Sequence, residues 1–100
     1  MKFRYSESKN AKLQKERGIG FEEIIEAIQN GNVFQTEHPN PAKYPNQKIA
    51  HVELKGTIYV VPYVSEPDGT FFLKTLYPSR KAAKKYTKAH TSYFINFFAL

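Results

Sequence analysis

The stretch Thr75–His90, TLYPSRKAAKKYTKAH, carries six basic side chains, its histidine included, and no acid. Pro78 ends any strand before it and Ser79 is a helix N-cap by type, so the spacing predicts a helix from Arg80 to about Lys88 or His90. Arg80 and Lys81 then fall in the first turn, where unpaired backbone N–H groups already present partial positive charge. A cation there opposes the helix dipole by up to ~1 kcal/mol. Like charges at i, i+4 (Arg80/Lys84 and Lys81/Lys85) add a penalty of ~0.2–0.5 kcal/mol per pair. An anion seated on those N–H groups, flanked by Arg80 and Lys81, reverses the sign of every term, and phosphate is the natural candidate. Two other readings use the same residues. Carboxylates of a partner chain would satisfy the cations equally well. Alternatively, Lys81, Lys84, Lys85 and Lys88 are a solvated face over a narrow stripe of Ala82, Ala83 and Tyr86.

Proton-transfer chemistry has candidates elsewhere. Gln47–Leu54 alternates, with Ala50, Val52 and Leu54 on one face of a strand and Ile49, His51 and Glu53 on the other. His51 and Glu53 therefore share a face and suit general acid–base work, histidine best of all near neutrality. The competing reading is the wet face of an amphipathic strand. His38, in a proline-rich loop, and His90, at a helix end, are weaker candidates. Glu37, His38, His51 and Glu53 contain no ligand spacing of a known metal motif, so neither a metal nor another cofactor is expected. The glycines of RGIGF (17–21) lack the phosphate-loop pattern and read as a C-cap and an N-cap in a tight helix–helix corner.

The elements that must position these groups follow from periodicity. Phe3-Arg4-Tyr5 suits a short extended segment. Ser6–Arg17 suits a helix capped by Ser6 and stopped by Gly18, with a thin apolar face of Ala11 and Leu13. Phe21, Ile24, Ile25 and Ile28 recur at i, i+3, i+4, i+7 opposite Glu22, Glu23 and Glu26, which marks a core helix closed by Asn30-Gly31. The period then becomes two. Strands are predicted over Val33–Thr36, Gln47–Leu54, Thr57–Val64 and Thr70–Tyr77. They are separated by the proline-rich loop 37–46, a two-residue hairpin turn at Lys55-Gly56, and the turn Ser65–Gly69. Pro62 cannot donate a ladder hydrogen bond, which implies a bulge or an edge position. The fold class is α+β: two N-terminal helices, an antiparallel four-stranded meander and a basic C-terminal helix, with one layer of helix on one sheet.

Bulk properties bound the function. A chain of 100 residues, 41% hydrophobic, with eight phenylalanines and seven tyrosines, is expected to form a single folded domain. Its 15 Lys/Arg against nine Asp/Glu give a net charge of +6, and every acid lies before residue 69. That imbalance favours an anionic partner such as nucleic acid. With no cysteine, disulfides, thiolate metal sites and cysteine nucleophiles are all absent. Without an apolar signal segment or a run near the roughly 18 apolar residues of a membrane span, a soluble, cytoplasmic protein with no membrane partner is expected. The apolar tail TSYFINFFAL (91–100) fits a strand, a self-association or partner surface, or an appended stretch.

Two of these stretches carry a resemblance. FRYSESKNAKLQKERGIGFEEIIEAI near the start and LYPSRKAAKKY near the end are similar, in that order, to the opening and closing motifs of the BrnT family of small bacterial toxins, which have a RelE-like fold. With the strands between them, the likeness covers about residues 3–87. Tyr5-Ser6 stand where the family usually has Trp-Asp, and the loop 37–46 is richer in proline. The resemblance implies a ribonuclease toxin of a type II toxin–antitoxin pair, cutting RNA without a metal and thereby slowing translation. It also implies a cognate antitoxin that joins an acidic toxin-wrapping segment to a DNA-binding module, through which homo-oligomers form. Metal-free RNA cleavage uses the 2′-hydroxyl as nucleophile and needs a base, an acid for the leaving 5′-oxygen, and positive charge on the phosphorane. On that reading Arg80 stabilises the phosphorane, seconded by Lys81 and by Lys74 from the last strand, while His51 and Glu53 move protons. Lys84, Lys85, Lys88, Tyr86 and Tyr77 would hold the RNA. Toxins with this fold often rely on Arg, Lys and Tyr, so Tyr63, Tyr77 or Tyr86 would share the work. The alternative is a non-catalytic RNA- or protein-binding module of the same fold, an inactivated toxin that needs the same cations.

Overall fold

The computed structural model describes residues 1–87, with side chains as far as Lys84. The tail 91–100 and the side chains of Lys85, Tyr86 and Lys88 lie outside the described residues. The first helix, α1 (Glu7–Arg17), begins where Ser6 Oγ accepts the Lys9 N–H at 3.2 Å and ends at Gly18, whose φ of 71° is the left-handed cap conformation. Ser6 thus does the capping that an aspartate would do there. The second helix, α2 (Phe21–Gln29), starts at Gly20, which has no side chain to cap it. Asn10 of α1 supplies the missing acceptor: its Oδ1 takes the Phe21 N–H at 2.7 Å, with the residue 5% exposed. A Cβ on Gly20 would sit 2.5 Å from that oxygen, so the corner between the helices requires glycine. Tyr5 stacks on Phe21 with ring centroids 4.9 Å apart.

Strands β1 (Phe3–Arg4), β2 (Val33–Glu37), β3 (Gln47–Leu54), β4 (Thr57–Ser65), β5 (Phe71–Leu73) and β6 (Tyr77–Pro78) form one sheet. Its order is β1-β5-β4-β3-β2, with β6 also on β4. The expected meander is present. Lys55 and Gly56, both at positive φ, make the hairpin turn that sets Leu54 opposite Thr57. Two features enlarge it. β1 adds to β5 in parallel, which makes the sheet mixed. The expected last strand is split into β5 and β6: Tyr63 pairs with Leu73 and Val60 with Tyr77, so Lys74, Thr75 and Leu76 face only Val61 and Pro62. That is a bulge, one residue longer on the outer strand. Pro62 lies opposite it, and its carbonyl still accepts the Lys74 N–H at 2.8 Å. The proline therefore occupies the one part of β4 where its neighbour leaves the ladder.

Helix α3 (Arg80–Thr87) corrects the expectation of a single helix layer. α2 packs with α1 on the face that carries Ala50, Val52, Val61 and Tyr63, the main core. α3 lies on the opposite face, where Ala82 and Ala83 pack against Ile58 and Phe34. The sheet is thus covered from both sides, and the His51 face is roofed by the basic helix.

Candidate functional site

Between α3 and the sheet lies a groove of about 410 Å³, lined by side chains from β2, β3, β4 and β6, the loop after β2, and the first turn of α3. His51 and Ile49 come from one face of β3, and Val60 and Tyr77 form a cross-strand pair on β4 and β6. Thr36, Glu37 and Pro39 close one side; Ser79, Lys81 and Ala82 close the other. The helix is fixed over the groove by Ser79, whose Oγ accepts the Ala82 N–H at 3.1 Å while its own N–H donates to the Ile58 carbonyl at 2.9 Å. That pair of bonds ties the first turn of α3 to β4 and so sets the backbone of Lys81 at the groove's edge.

The residues picked from sequence separate. The groove brings together His51, Lys81 and Tyr77. Arg80 is exposed and stands one position before Lys81, outside the lining; Lys84 is exposed further along the same helix. Glu53 keeps to the His51 face of β3 but sits opposite Ile58, towards the hairpin end and outside the groove. Lys74 places its Nζ 5.6 Å from the Phe72 ring centroid, also outside. Tyr63 belongs to the main core at 3% exposure, on the other face of the sheet. Burial pushes its hydroxyl far above the ordinary tyrosine range, and the Glu37 charge adds to the effect, so it keeps its proton.

Glu37, a candidate from sequence only as a metal ligand, borders the groove at the end of β2, but its charge acts on Tyr63 across the sheet's other face. Register decides this: β2 pairs with β3 so that Phe34 and Thr36 share the His51 face while Glu37, opposite Lys48, falls on the Tyr63 face, which periodicity alone does not give across a nine-residue loop. Among the described residues no three His, Asp or Glu side chains converge as a metal site would need. Nor does Arg80 or Lys81 form an ion pair among them; the salt bridges there are Arg4–Glu66 and Lys12–Glu16. The charges that destabilise the start of α3 are thus not cancelled by the described part of the chain. Chemically the groove offers an imidazole, a phenol and an ammonium around a space large enough for a nucleotide-sized ligand.

No helix of the described residues is long and apolar enough to cross a membrane. No family model matches the sequence, and no curated protein matches it. Among solved structures, the ribonuclease toxin BrnT of Brucella abortus is similar, with a TM-score of 0.55 and 18% identity over 79% of this chain and 96% of the toxin. At that identity the likeness is one of architecture, α+β with three helices on a mixed sheet. It agrees with the motifs read at both ends of the sequence: the chain has a BrnT-like toxin fold.

Proposed function

We propose that this protein is a ribonuclease toxin of a type II toxin–antitoxin pair, and that the groove under α3 is its active site. One observation carries the reading: on a fold similar to that of a ribonuclease toxin, a single groove gathers His51, Tyr77 and Lys81 beneath a helix start whose cations form no ion pair among the described residues. In the proposed reaction the scissile phosphate rests against Lys81 and the first-turn N–H groups of α3, with Arg80 reaching it from the rim. The 2′-hydroxyl gives up its proton to solvent as its oxygen attacks phosphorus. The P–O5′ bond breaks as His51 protonates the leaving oxygen, giving a 2′,3′-cyclic phosphate and a free 5′-hydroxyl. Lys81 and Arg80 stabilise the charge on the phosphorane, and the Tyr77 hydroxyl donates to it. No step uses a metal. A cognate antitoxin would silence the enzyme by laying an acidic segment on Arg80, Lys81 and Lys84, which form no ion pair among the described residues.

The test is cleavage of single-stranded RNA by the purified chain. Cutting is expected to persist in chelator and to vanish when the sugar at the cut site is deoxyribose. An intact RNA under all conditions would sink the catalytic reading and favour a binding module of the same fold.

A further inference from the structure

On the groove's face of the sheet, towards the β1 edge, Phe72 is half-buried between two exposed cations. The guanidinium carbon of Arg4 lies 5.5 Å and Lys74 Nζ 5.6 Å from its ring centroid. Phe72 pairs with Arg4 on one side and Val64 on the other, beside a depression of about 380 Å³ lined by Arg4, Val64, Ser65, Glu66, Pro67 and Phe72. Glu66 meets Arg4 through Nε, at 3.5 Å, and the Arg4 side chain is 64% exposed. Lys74 has no ion pair among the described residues.

We infer that Phe72, Arg4 and Lys74 form a second subsite, which stacks an unpaired base of an RNA strand and grips its phosphate. An aromatic ring set among cations on a sheet surface suits stacking by a base on ring and guanidinium, with the backbone phosphate on the ammonium. An acidic peptide fits less well, because its carboxylates have no use for the ring, whereas a base stacks on it. The two sites are also spaced for one strand. Val60 lines the groove and Val64 the depression, four residues apart on the same face of β4. At ~3.3 Å per residue that is about 13 Å, a span of a few nucleotides. This inference rests on the ribonuclease reading for the identity of its ligand, and its test does not need cleavage.

The test measures binding of 2′-O-methyl RNA oligomers, which cannot be cut, to the full chain by fluorescence anisotropy. Wild-type affinity is expected to rise once the oligomer is long enough to span both sites. Phe72→Ala is expected to erase that gain and weaken the long oligomer about ten-fold, while Phe72→Tyr keeps it. Lys74→Gln is expected to lower the slope of log affinity against log salt by about 0.7, the share of one phosphate on a single strand. Circular dichroism of Phe72→Ala, with Phe72→Tyr as the ring-preserving control, separates a lost platform from lost folding. A wild-type chain that gains nothing with length, or a folded Phe72→Ala that binds the long oligomer as well as wild type, overturns the subsite. Length-dependent binding that needs Phe72, in a protein that cuts no RNA, upholds the subsite and counts against the catalytic reading alone.

Discussion

Lys81 and His51 approach one groove from a helix and a strand 30 residues apart in sequence, and the proposed chemistry makes different demands of them. His51→Ala removes the acid and is expected to lower the cleavage rate by about 10²–10⁴-fold in a gel assay, with thermal unfolding little changed. Lys81→Ala removes charge at the phosphate. Arg80→Ala does so from the rim and is expected to relieve growth arrest on induction at matched protein levels; persistence of full toxicity would deny Arg80 its role. Much of this was legible from residue types: two cations at a helix start pose the question of a counter-ion before any coordinates exist. Which of the two enters the groove was not, because adjacent helical positions point about 100° apart and the direction that meets the sheet depends on where the helix lands. Glu53 illustrates the same limit. It shares His51's face as the alternation said, but sharing a face does not mean sharing a cavity 6–7 Å along the strand.

The elements were legible where local chemistry decides them. Ser6, Gly18 and Lys55-Gly56 act as caps and turn through their own backbone preferences, and the strand Gln47–Leu54 has the boundaries its alternation gives. The parallel pairing of β1 and the landing of α3 on the far face were hidden, since both depend on contacts distant in sequence. The α1–α2 corner yields a sharp prediction. Asn10→Ala leaves the Phe21 N–H buried without its acceptor, which is expected to cost about 1–3 kcal/mol. For a chain of this size that lowers Tm by roughly 4–8 °C per kcal/mol, read by thermal melts. Gly20→Ala is expected to destabilise the same corner, since its methyl group would meet the Asn10 carbonyl oxygen and the Gln14 side chain. At the other end, Ser79→Ala removes the α3 cap and is expected to cost about 1 kcal/mol. RNA cleavage is expected to fall as well, because that cap holds the first turn of α3, and the backbone of Lys81 with it, at the groove.

For the molecule as a whole, pH probes the packing of its two faces. The Tyr63 hydroxyl is raised far above its ordinary value of 10.0 by burial. The unfolded chain therefore releases this proton first as pH climbs, and stability, intact below about pH 10, falls as pH rises from there towards the folded-state value. Tyr63→Phe is expected to flatten the alkaline limb of a Tm–pH profile. Asp68 is lowered, chiefly by the backbone N–H of Thr70, which its Oδ1 accepts at 2.9 Å. Its contribution is present above about pH 4 and is lost as pH falls through the folded-state value; Asp68→Asn is expected to flatten the acid limb. The break opposite Pro62 has a consequence for the whole design. Sides of a strand alternate, so an odd insertion exchanges inside for outside from that point onward. The extra residue between Leu73 and Tyr77 lets Leu73 and Leu76 both sink into the main core and turns the Tyr77 phenol to the opposite side, under the basic helix. Deleting Thr75 would match the outer strand to Val61 and Pro62, leaving Leu76 inward and Tyr77 outward by plain alternation. One further residue inserted there would instead send Tyr77 into the core and dismantle the groove's wall.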